Sequence, residues 1–256
     1  KVTATVSRNG DLVGRMYLEV TSDTSNVTAV ANFGAACIDN VEVQIGGQQI
    51  DKHYGHWMET WAELTEPQGL GSTVAAAGTH KTGTPYQNMA CAGGVAGVAV
   101  TGTSLEKVHL PLQFWFNRNP GLALPLIALQ YHEVKILITF AGVTSVSGVK
   151  LYADYIYLDT DERRRFAQVS HEYLIEQVQY TTGDSASIDL NFNHPVKELV
   201  WVTPSDNGHK FGQYSKNVET AKLVLNGHER MSERSGDYFN WVQPYQHHTG
   251  CPPAGV

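Results

Sequence analysis

Strand-length runs, each closed by a turn signal, recur along this chain, and they constrain its fold more than any other feature. Val2, Ala4 and Val6 alternate with Thr3, Thr5 and Ser7. Asn9-Gly10-Asp11 reads as a hairpin-type turn. Leu12–Thr21 follows as a second strand, with Met16, Leu18 and Val20 on one face. Val27–Phe33 is apolar enough for a third strand. Ile38–Ile45 sets Val41, Val43 and Ile45 inward against Asn40, Glu42 and Gln44, and stops at Gly46-Gly47. Short strands at such spacing predict an all-β sandwich.

Two segments break the pattern. Over Lys52–Leu64, residues Tyr54, Trp57, Met58, Trp61 and Leu64 fall at helical spacing. They predict a short helix whose apolar stripe packs on its own sheet, with a partner-binding face as the alternative. Glu66–Ser104 is rich in Gly, Ala, Thr and Ser, and Lys81 is its one formal charge between Pro67 and Leu105. A loop this long inside a domain is usually functional or disordered. Its Gly93-Gly94-Val95-Ala96-Gly97 lacks the lysine and following helix of a phosphate cradle.

The middle of the chain, Leu110–Phe140, has the densest local code. Phe114-Trp115-Phe116 suits a buried strand, and Asn117-Arg118-Asn119-Pro120-Gly121 is a turn cluster. Leu122–Leu129 fits a short helix or a buried strand, and Pro125 argues against an uninterrupted helix. Val134–Phe140 reads as a strand buried on both faces. Arg118 and His132 have no catalytic partner at a recognisable spacing and read as turn and strand-face residues.

Leu151–Leu158 closes the first half. Asp159 with Glu162 then forms a capping pair that opens a linker helix over 159–169. Its Arg163-Arg164-Arg165 reads as a solvated or salt-bridged face rather than a lipid or nucleic-acid contact. Strands are expected at His171–Tyr180, at Leu199–Val202, and at Ala221–Leu225 before Asn226-Gly227, with Ile188, Leu190 and Phe192 alternating inward. Val41–Gly47 and Ala221–Gly227 match at an offset of 180 residues, and Trp61 and Trp241 follow each turn by 14 residues. That suggests one β-sandwich occurring twice.

Four stretches resemble, in order, the major capsid proteins of large icosahedral nucleocytoplasmic DNA viruses such as phycodnaviruses and iridoviruses. They are Arg8–Leu12 with Arg15–Val20, Phe114–Val134, Tyr155–Phe166 and Asn191–Leu199. The resemblance implies an all-β fold of two tandem jelly rolls, each of eight strands in two sheets. The implied divisions are a first roll at 1–158, the linker helix at 159–169 and a second roll at 170–256. The strand count falls short, so the first roll is expected to lack its opening strand and the second its closing strands, with both ends truncated. The implied role is structural: a homotrimer forming a pseudo-hexagonal capsomer that tiles an icosahedral shell. The loop at Pro67–Ser104 would face outward. Neighbouring capsomers, minor capsid proteins and glycans on the outer loops would be its partners, and the virion, assembled in the host cytoplasm, its location.

The residues themselves set limits on other functions. A net charge of −7 argues against direct nucleic-acid binding, and there is no apolar run of about 18 residues. Cys37, Cys91 and Cys251 are odd in number and lack CxxC spacing, as for free thiols. His53 and His56 lie at i and i+3 without the glutamate of a zinc-protease motif, and His247-His248 are adjacent. No catalytic, cofactor or metal residues are expected, which disfavours a cupin-type enzyme. The other alternative is a carbohydrate-binding jelly-roll module, which would need Trp57 and Trp61 as an exposed platform. Asn26-Val27-Thr28 is a sequon, so Asn26 is the one candidate glycosylation site, against the plainer reading of a turn asparagine.

Overall fold

The computed structural model describes residues 1–22, 32–66, 84–94, 107–142, 146–203 and 218–249. Its first half is an antiparallel sandwich of eight strands: β1 (Val2–Thr5), β2 (Leu12–Ser22), β3 (Ile38–Ile45), β4 (Gln48–Tyr54), β5 (Lys107–Pro111), β6 (Leu124–Pro125), β7 (Val134–Phe140) and β8 (Val146–Ile156). One sheet has the order β1-β7-β3-β4. In the other, β2 pairs with β8 on one side and with β5 and the two-residue β6 on the other. Short helices decorate the sandwich: α1 (Phe33–Ala36), α2 (Gly55–Thr65), α3 (Pro85–Ala90) and α4 (Trp115–Arg118).

The core forms where inward faces of both sheets meet. Val13, Met16, Leu18 and Val20 of β2 face Val41 and Val43 of β3 and Ile136 and Ile138 of β7, all in one buried cluster. Phe114 and Phe116 complete it with no exposed surface. Period-2 alternation thus sets the register, because a one-residue slip would turn these side chains outward.

Several strand expectations are corrected. Phe114-Trp115-Phe116 opens α4 rather than forming a strand; the turn brings Trp115 and Phe116 together edge-to-face at 5.1 Å, and both are buried. Leu122–Leu129 is neither helix nor long strand. A 3₁₀ turn at Pro120–Leu122 leads into β6 and then into further turns. In β7 only Val134, Ile136 and Ile138 are fully buried, so one face is half-covered. Asn40 and Glu42 of β3 are buried rather than outward, and Lys1 and Lys52 lie 3.9 and 3.4 Å from the Glu42 carboxylate. Phe33 belongs to α1, and residues 27–31 of the expected third strand lie outside the described residues.

The linker helix is present as α5 (Thr160–Gln168), and Asp159 Oδ1 accepts the Glu162 N–H at 2.9 Å. Beyond it, residues 171–203 run without strand pairing. Ile188 and Leu190, expected inward, are 47% and 44% exposed. A strand needs a neighbour for its backbone groups, and no described residue supplies one here. Among the described residues, the paired strands of this half are β9 (Thr220–Leu225) and β10 (His228–Ser235). A helical run follows, π-helical over Tyr238–Val242 and α-helical in α6 (Gln243–His247).

The two matched segments share local geometry. Gly46 and Gly47 have φ of 59° and 85°, and Asn226 and Gly227 have 50° and 77°. Two consecutive positive φ values are the signature of a type I′ hairpin. Each hairpin, β3–β4 and β9–β10, is followed by a helical segment that carries the matched tryptophan, Trp61 or Trp241.

Candidate functional site

The densest polar geometry lies where the 171–180 segment meets the edge of the first sandwich. Helix α4 is the base. Asn117 donates from Nδ2 to Gly14 O at 2.8 Å and accepts the Phe114 N–H at 3.2 Å, which fixes α4 on β2. Arg118, next along, is thereby aimed. Its guanidinium lies 4.8 Å from the Trp61 ring centroid, and its Nη2 is 2.6 Å from Glu176 Oε2. Glu176 also takes Lys197, and these cations hold its carboxyl below the usual carboxylate range, Lys197 foremost.

Around this centre, Val178 N–H donates to Asp51 Oδ1 at 3.0 Å, Gln177 reaches the Ile50 carbonyl, and Tyr180 packs on Tyr54 at 4.9 Å. His248 stands edge-on to Trp61 at 6.2 Å and bonds Glu198 at 2.5 Å. The Trp57–Trp61 stack, 5.3 Å between centroids, is half-buried rather than inside the core. The fully covered face of α2 is instead Gly55, Met58, Glu59, Ala62 and Leu64. Neither tryptophan stands clear as a carbohydrate platform, since Arg118 covers a face of Trp61.

A second polar cluster ties down part of the long loop. Thr84 and Gln87 form a capping box that starts α3, with Pro85 in the first turn. After α3, Gly93 and Gly94 adopt φ of 80° and 83° and turn their N–H groups onto Glu59. The Glu59 carboxylate, with no exposed surface, accepts Gly93 N–H at 3.0 and 2.9 Å and Gly94 N–H at 2.8 Å. The glycine pair thus holds an acceptor that the protein supplies itself, the buried Glu59 carboxyl. Burial pushes the Glu59 carboxyl up to about 8, against the pull of the two amides, and Glu63 adds to the rise.

A third contact anchors the linker. Asp11 Oδ2 accepts Leu158 N–H at 2.9 Å, and its Oδ1 lies 3.0 Å from Arg163 Nε. Arg164 pairs with Asp161 at 3.7 Å, so two of the three consecutive arginines sit in ion pairs.

The other sequence candidates are dispersed. His53 is buried, 2.9 Å from Asp51 Oδ2 and stacked on Phe114 at 4.3 Å, while His56 is exposed. His248 turns into the junction and His247 faces solvent. His132 packs over Gly46, where a Cβ would lie 2.5 Å from Nδ1. Cys37 and Cys91 are free thiols, and burial pushes Cys37 up to about 12. Among the described residues no His, Cys, Asp or Glu cluster could hold a metal ion. Asn26, Cys251 and most of Pro67–Ser104 lie outside the described residues. Sequence reading missed Glu59, Asp11 and Glu176. Glu59 alone left a trace, as an acidic residue beside Met58 at the helical spacing of the buried face.

Residues 1–159 match the family described as "Major capsid protein N-terminus", and residues 162–256 match "Large eukaryotic DNA virus major capsid protein". The chain belongs to the major capsid proteins of large eukaryotic DNA viruses. Among these capsid proteins, that of Pyramimonas orientalis virus is 51% identical over 271 residues, covering all of this chain and 65% of its own length. That of Paramecium bursaria Chlorella virus 1 is 35% identical, with all of this chain and 68% of its own length covered. The fold matches the quasi-atomic model of the PBCV-1 virus capsid with a TM-score of 0.72 at 32% identity, over 99% of this chain and 71% of that one. The chain thus spans about two thirds of the length of these two capsid proteins. The two capsid family matches meet at the first turn of α5.

Proposed function

We propose that the protein containing this chain is a structural capsid protein that trimerises into a pseudo-hexagonal capsomer and tiles an icosahedral shell. The observation that carries this reading is the pair of capsid family matches running from residue 1 to residue 256. The likeness to a solved capsid assembly over 99% of the chain supports it. Residues 1–158 form one jelly roll, 159–169 the linker helix, and 170–256 part of a second roll that repeats one unit of the first, an I′ hairpin followed by a helix. Three subunits then bring six similar wedges around a three-fold axis, which is a near-hexagonal block.

In this role the protein works by shape and contact, without catalysis. The loop at Pro67–Ser104, apart from the 84–94 stretch clasped to α2, faces outward and carries decoration such as glycans, and the sides of the sandwiches meet neighbouring capsomers and minor capsid proteins. The net charge of −7 fits a shell that does not wrap nucleic acid directly. The protein resides in the virion after assembly in the host cytoplasm. Sedimentation equilibrium of the full-length protein tests the reading: a trimer at micromolar concentration is expected, and a monomer across the whole range would remove it.

A further inference from the structure

We propose that Arg118 is the pin that positions the second half of the chain on the first sandwich, and that capsomer assembly depends on it; the assembly clause rests on the trimer reading above. The 171–180 segment lies along the β4 edge without ladder pairing. Regular backbone pairing normally sets register between neighbouring extended segments, and where it is lacking a segment is free to slip. Side chains must therefore fix the position of this one.

The contacts at the junction differ in how much they fix. The Tyr54–Tyr180 packing, the bond from Gln177 to a backbone carbonyl and the Val178 N–H bond to Asp51 Oδ1 hold the segment close, all of them on β4. None has the directional demand of a charged planar group that serves two elements at once. Arg118 has that demand on two sides. Its guanidinium rests on the Trp61 ring and points Nη2 at Glu176, 58 residues further along the chain. Its own origin is rigid, because Asn117 fastens α4 to β2 through Gly14. Its side chain is 24% exposed and that of Glu176 40%, so the pair is screened by solvent from the Glu176 side more than from the Arg118 side. The Asp11–Arg163 contact holds the linker from the other end. Two separated anchor points fix an orientation where one would leave a swivel.

Arginine suits this place in a way lysine does not. The planar fork stacks on an indole and bonds a carboxylate at once, whereas an ammonium is a hydrated point charge. Arg118→Lys is thus expected to resemble Arg118→Ala more than the parent. A role limited to net charge would give the opposite order.

The test uses the full-length protein with Arg118→Ala, Arg118→Lys, Glu176→Ala and the double alanine variant. Hydrogen exchange reads the protection of 171–180 at the Val178 amide, which bonds Asp51, and sedimentation equilibrium reads the trimer. Each single alanine variant is expected to lower protection about tenfold and to weaken the trimer about tenfold, with the double variant no worse than the worse single. The first sandwich keeps its thermal transition in all four. Parent-like protection of 171–180 in Arg118→Ala, or singles whose effects simply add, would overturn the pin. Lost protection with a parent-like trimer would overturn its assembly role. A parent protein that is itself monomeric would remove the capsomer reading, while the exchange measurement still decides whether Arg118 pins the halves.

Discussion

The Glu59 carboxylate and the backbone N–H of Gly93 are 2.9 Å apart, although 34 residues separate them in the chain. With Gly94 they make a clasp that holds the 84–94 segment against α2. Glu59→Ala leaves these amides without an acceptor, at a cost of about 1–3 kcal/mol for each buried group. Gly93→Ala puts a side chain at φ 80° with its Cβ 3.3 Å from the Tyr86 ring, and is expected to cost about 1–3 kcal/mol. In both variants hydrogen exchange should show 84–94 opening before the sandwich does; unchanged protection would count against the clasp.

The same carboxyl gives the fold a pH dependence of definite sign. Burial raises Glu59 from 4.5 to about 8, and burial also raises Glu63 beside it. A raised carboxyl binds its proton more tightly in the folded state. Its contribution is complete below pH 4.5 and is lost as pH climbs through about 8. Denaturant unfolding from pH 5 to pH 9 should show stability falling from pH 5 to about 8 and levelling above it, with a flatter profile in Glu59→Gln. A profile of equal slope in both proteins would contradict the assignment.

Trp57 and Trp61 are half-buried, so truncation should cost less than a core tryptophan does. Trp57→Ala is expected to lower stability by about 2 kcal/mol, roughly half the usual large-to-small core loss. Trp61→Ala should in addition loosen 171–180, because it removes the surface on which Arg118 rests. Thermal unfolding and hydrogen exchange separate the two: equal effects on 171–180 would speak against a distinct role for Trp61.

Asp11 joins the first turn of the sandwich to the end of β8 and to α5. Asp11→Ala strands the Leu158 N–H, a loss of about 1–3 kcal/mol, and releases the 57% exposed Arg163 side chain to solvent. Limited proteolysis should then cut within 159–170 faster than in the parent protein. Cutting at the parent rate would show that the linker is held by other contacts.

What the sequence made legible follows from the range of each interaction. Leu12–Thr21 and Ile38–Ile45 were readable because alternation is written in neighbouring residues. The Asn226-Gly227 and Gly46-Gly47 turns were readable because few residue pairs accept two positive φ values. The α5 cap was readable as Asp159 and Glu162, three residues apart. Phe114-Trp115-Phe116 misled because an aromatic run is equally apolar in a strand or a helix, and the Asn117 bond to Gly14 that selects the helix spans 103 residues. His171–Tyr180 reads as a strand because its residues would suit one, yet pairing belongs to a partner and not to the segment. The polar contacts were the least legible: Glu59 with Gly93, Asp11 with Leu158 and Arg118 with Glu176 are separated by 34, 147 and 58 residues.

Electron microscopy of the purified full-length protein tests the central claim most directly. Class averages should show three-fold particles with a near-hexagonal outline, two lobes to each subunit, that pack edge to edge into flat arrays at higher concentration. Single two-lobed particles that form neither trimers nor arrays would contradict the claim that this chain is part of a capsid tile.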